Sequence, residues 1–142
     1  MRALLDVNVL LALLDTDHVD HVTAREWLEA EITAGWASCA ITQNGVVRIM
    51  SQPRYPSPVS PTDVIALLRD ATVTEHHEYW SCEPSLVDEA LVDPTRVHGP
   101  RQVTDVYLLA LAAGQGGRLV TFDRTIPVAA VRRATPDNLV VL

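Results

Sequence analysis

The sequence predicts an α/β domain with a mainly parallel central sheet flanked by helices. Three observations predict it. Short apolar runs of strand length alternate with longer stretches whose apolar residues recur at helical spacing. Helix-opening signals stand at the joins, as in Ser60-Pro-Thr-Asp63 and Ser85-Leu-Val-Asp88. Two of the apolar runs, Arg2 to Leu5 and Leu119 to Phe122, end directly in an aspartate, Asp6 and Asp123.

Arg2 to Asp6 reads as a buried strand ending in its acid, and Val7 to Leu14 follows at once as an apolar helix. Asp15 to His18 is a loop. From His21 to Ala34, Ala24, Leu28 and Ile32 share one helical face, and Gly35 ends the helix. His18 and His21 have metal-ligand spacing but no third His or Cys beside them, which favours helix-start surface histidines. Trp36 to Ile41 is a second strand, with Thr42 able to cap a short helix from Gln43 to Met50. Ser51 to Pro61 holds four prolines and must be irregular. Ser60 opens a helix to about Ala71, Glu75 to Trp80 is a strand, and Ser85 opens a short helix to Leu91. Asp93 to Arg101 is a loop. Val106 to Ala113 is apolar or Tyr throughout, so this helix is buried nearly all round, with Thr104 and Asp105 at its start. Gly114, Gly116 and Gly117 stop it, and Leu119 to Phe122 is the strand that follows. Ile126 to Arg133 reads as a short helix and Leu139 to Leu142 as a closing strand.

At 142 residues the chain is read as one domain, residues 1–142, long enough for one substantial core. Cys39 and Cys82 lack any Cys-x-x-Cys spacing and read as free thiols of a cytoplasmic protein. The apolar run Val7 to Leu14 is too short to span a bilayer, and no cleavage site follows it, so neither a membrane segment nor a signal peptide is expected. A net charge of −7 argues against strong nonspecific binding to nucleic acid, so any such contact must come from a local patch.

Asp6, Asp105 and Asp123 occupy equivalent places, at strand ends or a helix start, where ligand chemistry collects in open parallel sheets. Taken alone, Asp105 could be a helix cap and Asp123-Arg124 an ordinary turn. Taken together, three converging carboxylates would repel one another unless a divalent cation joined them. Hard oxygen donors suit Mg2+ or Mn2+ over zinc, and such a site can drive phosphodiester cleavage. The chain contains no lysine. That excludes phosphoaspartate phosphatases and receiver domains, which depend on one, and a P-loop, which needs Gly-Lys-Ser/Thr. The Gly-x-Gly-x-x-Gly of a Rossmann site is also absent after the first strand.

Four segments, Leu4–Leu13, Trp36–Ile49, Gly99–Ala112 and Leu119–Arg124, carry a specific resemblance by their order and spacing. The chain resembles the PIN-domain ribonucleases of the VapC toxin type, from bacterial VapBC toxin–antitoxin pairs. The resemblance implies a PIN-like fold, metal-dependent endoribonuclease activity, and metal ligands at Asp6, Asp105 and Asp123. It also implies a further acid directly after the threonine that follows the second strand. Here that position is Gln43, which can hydrogen-bond a metal-bound water but adds no charge. Asn8 and Thr121 are expected to support the ligands, or to be local turn and strand residues. The resemblance further implies a homodimer, an RNA substrate and a cognate VapB-type antitoxin whose tail enters the groove. Arg54, Arg96, Arg101 and Arg124 are the candidates for RNA phosphates or antitoxin carboxylates, with solvated surface arginines as the alternative. A noncatalytic module that binds RNA or an antitoxin without cutting is the second reading, and Gln43 keeps it open.

Overall fold

The computed structural model describes residues 1–142. Five short strands form one all-parallel sheet: β1 (Ala3–Leu5), β2 (Trp36–Ser38), β3 (His77–Tyr79), β4 (Arg118–Thr121) and β5 (Leu139–Val141). Their order is β3-β2-β1-β4-β5. The chain therefore runs outward from β1 to β3, then returns to the other side of β1 to add β4 and β5. The order reverses between β1 and β4, and a crevice opens beyond the carboxyl ends of strands at such a point. Asp6 follows β1 and Asp123 follows β4 by two residues, so both acids stand there.

Strand pleating sorts the core into two layers, because alternate side chains point to opposite faces. Leu4, Ala37 and Leu119 face α5 (Val103–Gly114), whose Val106, Leu108, Leu109 and Leu111 are fully buried. Ala3, Leu5, Trp36 and Val120 face the other layer. That layer comprises α1 (Val7–Leu14), α2 (His21–Glu31), α3 (Ala40–Met50) and α4 (Pro61–Thr72). Each fully buried leucine among these contributes roughly 2–3 kcal/mol of transfer free energy. No helix is long and apolar enough to cross a membrane.

Local chemistry moves several expected boundaries. The strand expected over Trp36 to Ile41 stops at Ser38, and Cys39, not Thr42, is the N-cap of α3. Thr42 sits one turn inside, where its hydroxyl oxygen accepts from the Cys39 backbone N–H at 3.0 Å. Its affinity for the helix start is the same; the position is three residues later than a cap. The helix expected from Ser85 to Leu91 is a series of turns. The backbone at its end is engaged elsewhere: Arg132 N–H donates to Leu91 O, Asp93 N–H donates to Ala130 O, and Val92 bridges Val131. The same bridge shortens the helix expected over Ile126 to Arg133 to one 3-10 turn, Val128–Ala130. A 3-10 turn at Pro100–Gln102 leads into α5, so Asp105 lies in the helix's first turn and does not cap it. His18 and His21 are tied to local backbone, at Asp20 N–H and Ala12 O. Cys39 is buried and Cys82 exposed, both as free thiols.

Candidate acidic site at the carboxyl end of the sheet

Asp6 is both the end of β1 and the N-cap of α1. Its Oδ1 accepts from Val7 N–H at 2.7 Å, satisfying one of the helix's free donors. Its Oδ2 accepts from the Thr121 hydroxyl of β4, also at 2.7 Å. Thr121 is fully buried and its hydroxyl is fully used. While donating to Asp6, it accepts from Asn8 Nδ2 at 3.1 Å and from Asp123 N–H at 3.0 Å. Asn8 Oδ1 in turn accepts from Phe122 N–H at 3.2 Å. One hydroxyl therefore fixes the strand end that carries Asp6 relative to the one that carries Asp123. The two supporting residues named from sequence, Asn8 and Thr121, are both placed in this network.

Asp123 turns its Oδ1 onto Thr125, whose N–H and hydroxyl each donate at 2.7 Å. These bonds hold its carboxyl below the ordinary aspartate value, and a hydrogen bond from Asp105 adds to the effect. Burial pushes Asp6 upward; the bonds from Thr121 and Val7 oppose that, and the charge of Asp123 adds to it. Asp105 is pushed up to about 6 by burial, then by the negative charges of Asp6 and Asp123, then by the hydrogen bond to Asp123.

Coupling and closure differ at this site. The carboxylates feel one another, yet no three carboxylate, imidazole or thiolate groups close into a metal-binding set. Asp6 is held by Val7 and Thr121, and Asp123 by Thr125, each through its own donors.

A cavity of about 420 Å³ opens beside Asp6 and Asp105, which line it with Val7, Asn44, Arg48 and Thr104 among others; Asp123 does not line it. Gln43 is not among its lining residues. Its Nε2 donates to Ser38 Oγ at 2.9 Å, and it borders a separate cleft between α3 and α4 with Val47, Leu68 and Arg69. The side chain that α3 presents at the acids is Asn44, the next residue. Arg48 follows one turn later on the same face. Sequence reading missed both, because the family pattern drew it to the position directly after Thr42. In a helix begun at Ala40, positions 41, 44, 45, 48 and 49 form one face at helical spacing, and all five line the cavity.

None of the four arginines named from sequence lines this cavity. Arg96 is engaged by Asp93 at 3.4 Å. Arg54 sits on the proline loop, beside a Tyr55 bonded to Asp15 at the far end of α1 from Asp6. Arg124 is exposed next to Asp123. Arg101 lines a groove with His98, Gln102 and Thr125, and Gln102 Nε2 donates to Thr125 O at 3.1 Å. Arg101 is thus joined to the site through the residue that holds Asp123.

Comparison with known proteins matches residues 3–131 to the PIN domain. The chain is a PIN domain of the VapC type. It is 61% identical to Ribonuclease VapC44 of Mycobacterium tuberculosis over 142 residues, covering all of both chains. Ribonuclease VapC38 of the same organism is 40% identical over 142 residues, covering 99% of each. Among solved structures, M. tuberculosis VapC20, described as a toxin that cleaves the sarcin–ricin loop, superposes with a TM-score of 0.62 at 14% identity. That alignment covers 94% of this chain and 99% of the other. VapBC2 of Rickettsia felis, solved bound to a DNA fragment from its promoter, gives a TM-score of 0.59 at 12% identity, covering 87% and 89%. At such identities these two structures show the shared PIN fold. The family match ends at Val131, so β5, which completes the sheet beside β4, lies beyond it.

Proposed function

We propose that this chain is the toxin of a toxin–antitoxin pair, a metal-dependent endoribonuclease that cuts RNA phosphodiester bonds at the acidic site. The observation that carries the reading is that Asp6, Asp105 and Asp123 meet at the carboxyl end of the sheet, where burial and then the charges of Asp6 and Asp123 raise the Asp105 carboxyl to about 6. Neighbouring like charges are costly alone and become favourable when a cation joins them. The ribonuclease names of full-length relatives at 61% and 40% identity support the same activity.

Mg2+ or Mn2+ fits the donor set in chemistry, since all three groups are hard carboxylate oxygens and no Cys or His lines the cavity. Asp6, Asp105 and Asp123 would hold it. When bound, the ion supplies Lewis acidity toward the scissile phosphate and activates the attacking water. The chain's own residues prepare this. Thr121 and Val7 fix the Asp6 carboxylate, and Asn8 fixes Thr121 in turn. Asp105 must lose its proton before it can ligate, so cation binding strengthens as pH rises through about 6. We further propose action in the cytoplasm as a homodimer, neutralised by a VapB-type antitoxin. Arg101 and Arg124 flank Asp123 and Thr125, where they can receive carboxylates of such a partner.

The test is cleavage of total bacterial RNA by the purified chain in Mg2+, Mn2+ or EDTA, beside Asp6→Asn, Asp105→Asn and Asp123→Asn. The wild type should cut only with metal, and each variant should lose at least about 100-fold in rate. Undiminished cutting by Asp105→Asn, or by wild type in EDTA, would sink the reading. RNA bound but left intact in every metal would point to the noncatalytic module.

A further inference from the structure

We infer that Arg48 is the residue that holds a phosphate of the RNA strand in the acidic cleft. The inference rests on the ribonuclease reading and adds the group that receives the substrate. A chain of net charge −7 repels a polyanion, so a basic side chain within the cleft would help seat the strand beside the metal. Arg48 is the only arginine lining the cavity that Asp6 and Asp105 line.

Its guanidinium is free for that task. It is exposed and takes part in none of the chain's ion pairs, unlike Arg2, Arg25, Arg96, Arg118 and Arg132. It is also firmly mounted. Val46 and Met50, on either side of it in α3, are buried in the core. One turn before it, Gly45 lets α3 lie against the first turn of α1. A Cβ at Gly45 would come within 2.6 Å of the Val7 side chain, so this approach needs glycine. The residue that follows Asp6 is thus the one against which Arg48's helix is seated. Val7, Ile41 and Ile49 give the cavity an apolar wall, which strengthens a guanidinium–phosphate bond by limiting water. Asn44 adds an amide beside it.

The geometry assigns a division of labour. The carboxylates would take the cation, and Arg48 takes a non-bridging phosphate oxygen of the same strand in the same cavity. Because it touches substrate, its loss should weaken RNA binding even where no cutting occurs.

Fluorescence anisotropy of a short labelled single-stranded RNA of mixed sequence tests this, in EDTA and in Ca2+, from about 50 to 200 mM salt. Arg48→Ala should raise Kd roughly tenfold. It should also flatten the slope of log K against log salt by about 0.7, the value for one phosphate contact to a single strand. Arg48→Lys should keep the slope but recover only part of the affinity, lacking the planar fork. Arg54→Ala, on the proline loop, should change neither. Melting temperatures verify folding, and Arg48→Gln, which keeps much of the stem, replaces any alanine variant that melts early. Unchanged Kd and slope in the Arg48 variants would overturn the assignment, as would wild type that binds no RNA. Absence of cleavage by wild type in Mg2+ or Mn2+ is a separate result: it removes the ribonuclease reading and leaves the binding comparison to decide Arg48.

Discussion

The two ends of the sheet treat charge in opposite ways. At the amino end, charges are paired. Arg2 Nε lies 3.0 Å from Glu78, and Arg118 Nη2 lies 2.6 Å from Glu31, with the Arg118 guanidinium 5.2 Å from the centre of the Trp27 ring. At the carboxyl end, Asp6, Asp105 and Asp123 share one region and none has a basic partner. The first end pairs its charges within the chain, although Arg118 Nε is buried without a hydrogen-bond partner, and the second has its charges left for something that binds. Damage to the amino end should therefore cost stability alone, whereas relief of the carboxyl end should add stability and remove function.

Arg118→Ala is the larger of these effects. The side chain is 18% exposed, and its removal leaves Glu31 without its cation and Trp27 without its cover. We expect a loss of about 2 kcal/mol, a fall of roughly 6 °C in melting temperature. RNA cleavage measured well below the transition should be unchanged. A melting temperature within one degree of wild type would show that this pair is too well hydrated to matter.

Asp105→Asn should act in the opposite direction. In chelator, the folded chain binds the Asp105 proton more tightly than the unfolded chain does, since the carboxyl rises from 3.8 to about 6 on folding. Stability is therefore lost as pH rises from near 4 to near 6, and the loss persists above that window. The group is partly exposed, so the full shift must be discounted for solvent; about 1 kcal/mol is the expected size. Asp105→Asn should melt about 3 °C above wild type at pH 7 without metal, and the two should converge toward pH 4. Equal melting temperatures across that range would mean that the three carboxylates are not in conflict.

The same contrast explains what the sequence made legible. The parallel sheet, the buried α5 and the places of Asp6 and Asp123 follow from periodicity and from strand–acid junctions, which are local. Asn8 and Thr121 were readable because strand pleating puts Thr121 on the same face as Asp123. The start of α3 was not, because Ala40 and Ile41 suit strand and helix alike, and Thr42 works as a third-position residue as well as it does as a cap. Gln43 was chosen over Asn44 on the family pattern and not on helical facing, and Arg48 went unread for the same reason. The turns near Ser85 and Val128 were also illegible, since a long-range bridge between Val92 and Val131 decides them.

Gln43 gives the smallest effect and the sharpest test of that register. The family resemblance puts an acid here, and a glutamate reaching the cleft would lower the Mg2+ concentration needed for half-maximal cleavage. The structure turns the side chain the other way. Gln43 Nε2 donates to Ser38 Oγ, whose hydroxyl lies 2.9 Å from His77 Nε2 and donates to it when that nitrogen is bare. Burial and the charge of Arg2 keep His77 below its ordinary value, consistent with an imidazole that accepts. Gln43→Glu removes the amide donor and reverses the chain. Ser38 would donate to the new carboxylate and accept from a protonated His77, so the His77 value should rise. In wild type, the depressed imidazole makes stability fall as pH drops through about 6.5, because the unfolded chain takes up the proton more readily. The variant should lose less on that limb, while its stability at pH 8 stays within about 0.5 kcal/mol of wild type. The NMR titration of His77 reads the first change, and a metal titration of cleavage reads the second question. We expect the His77 curve to move upward and the metal curve to shift less than about twofold. A metal curve displaced tenfold to lower concentration, with His77 unmoved, would mean that residue 43 swings off Ser38 into the acidic cleft, and that α3 presents 43 and not 44 to the carboxylates.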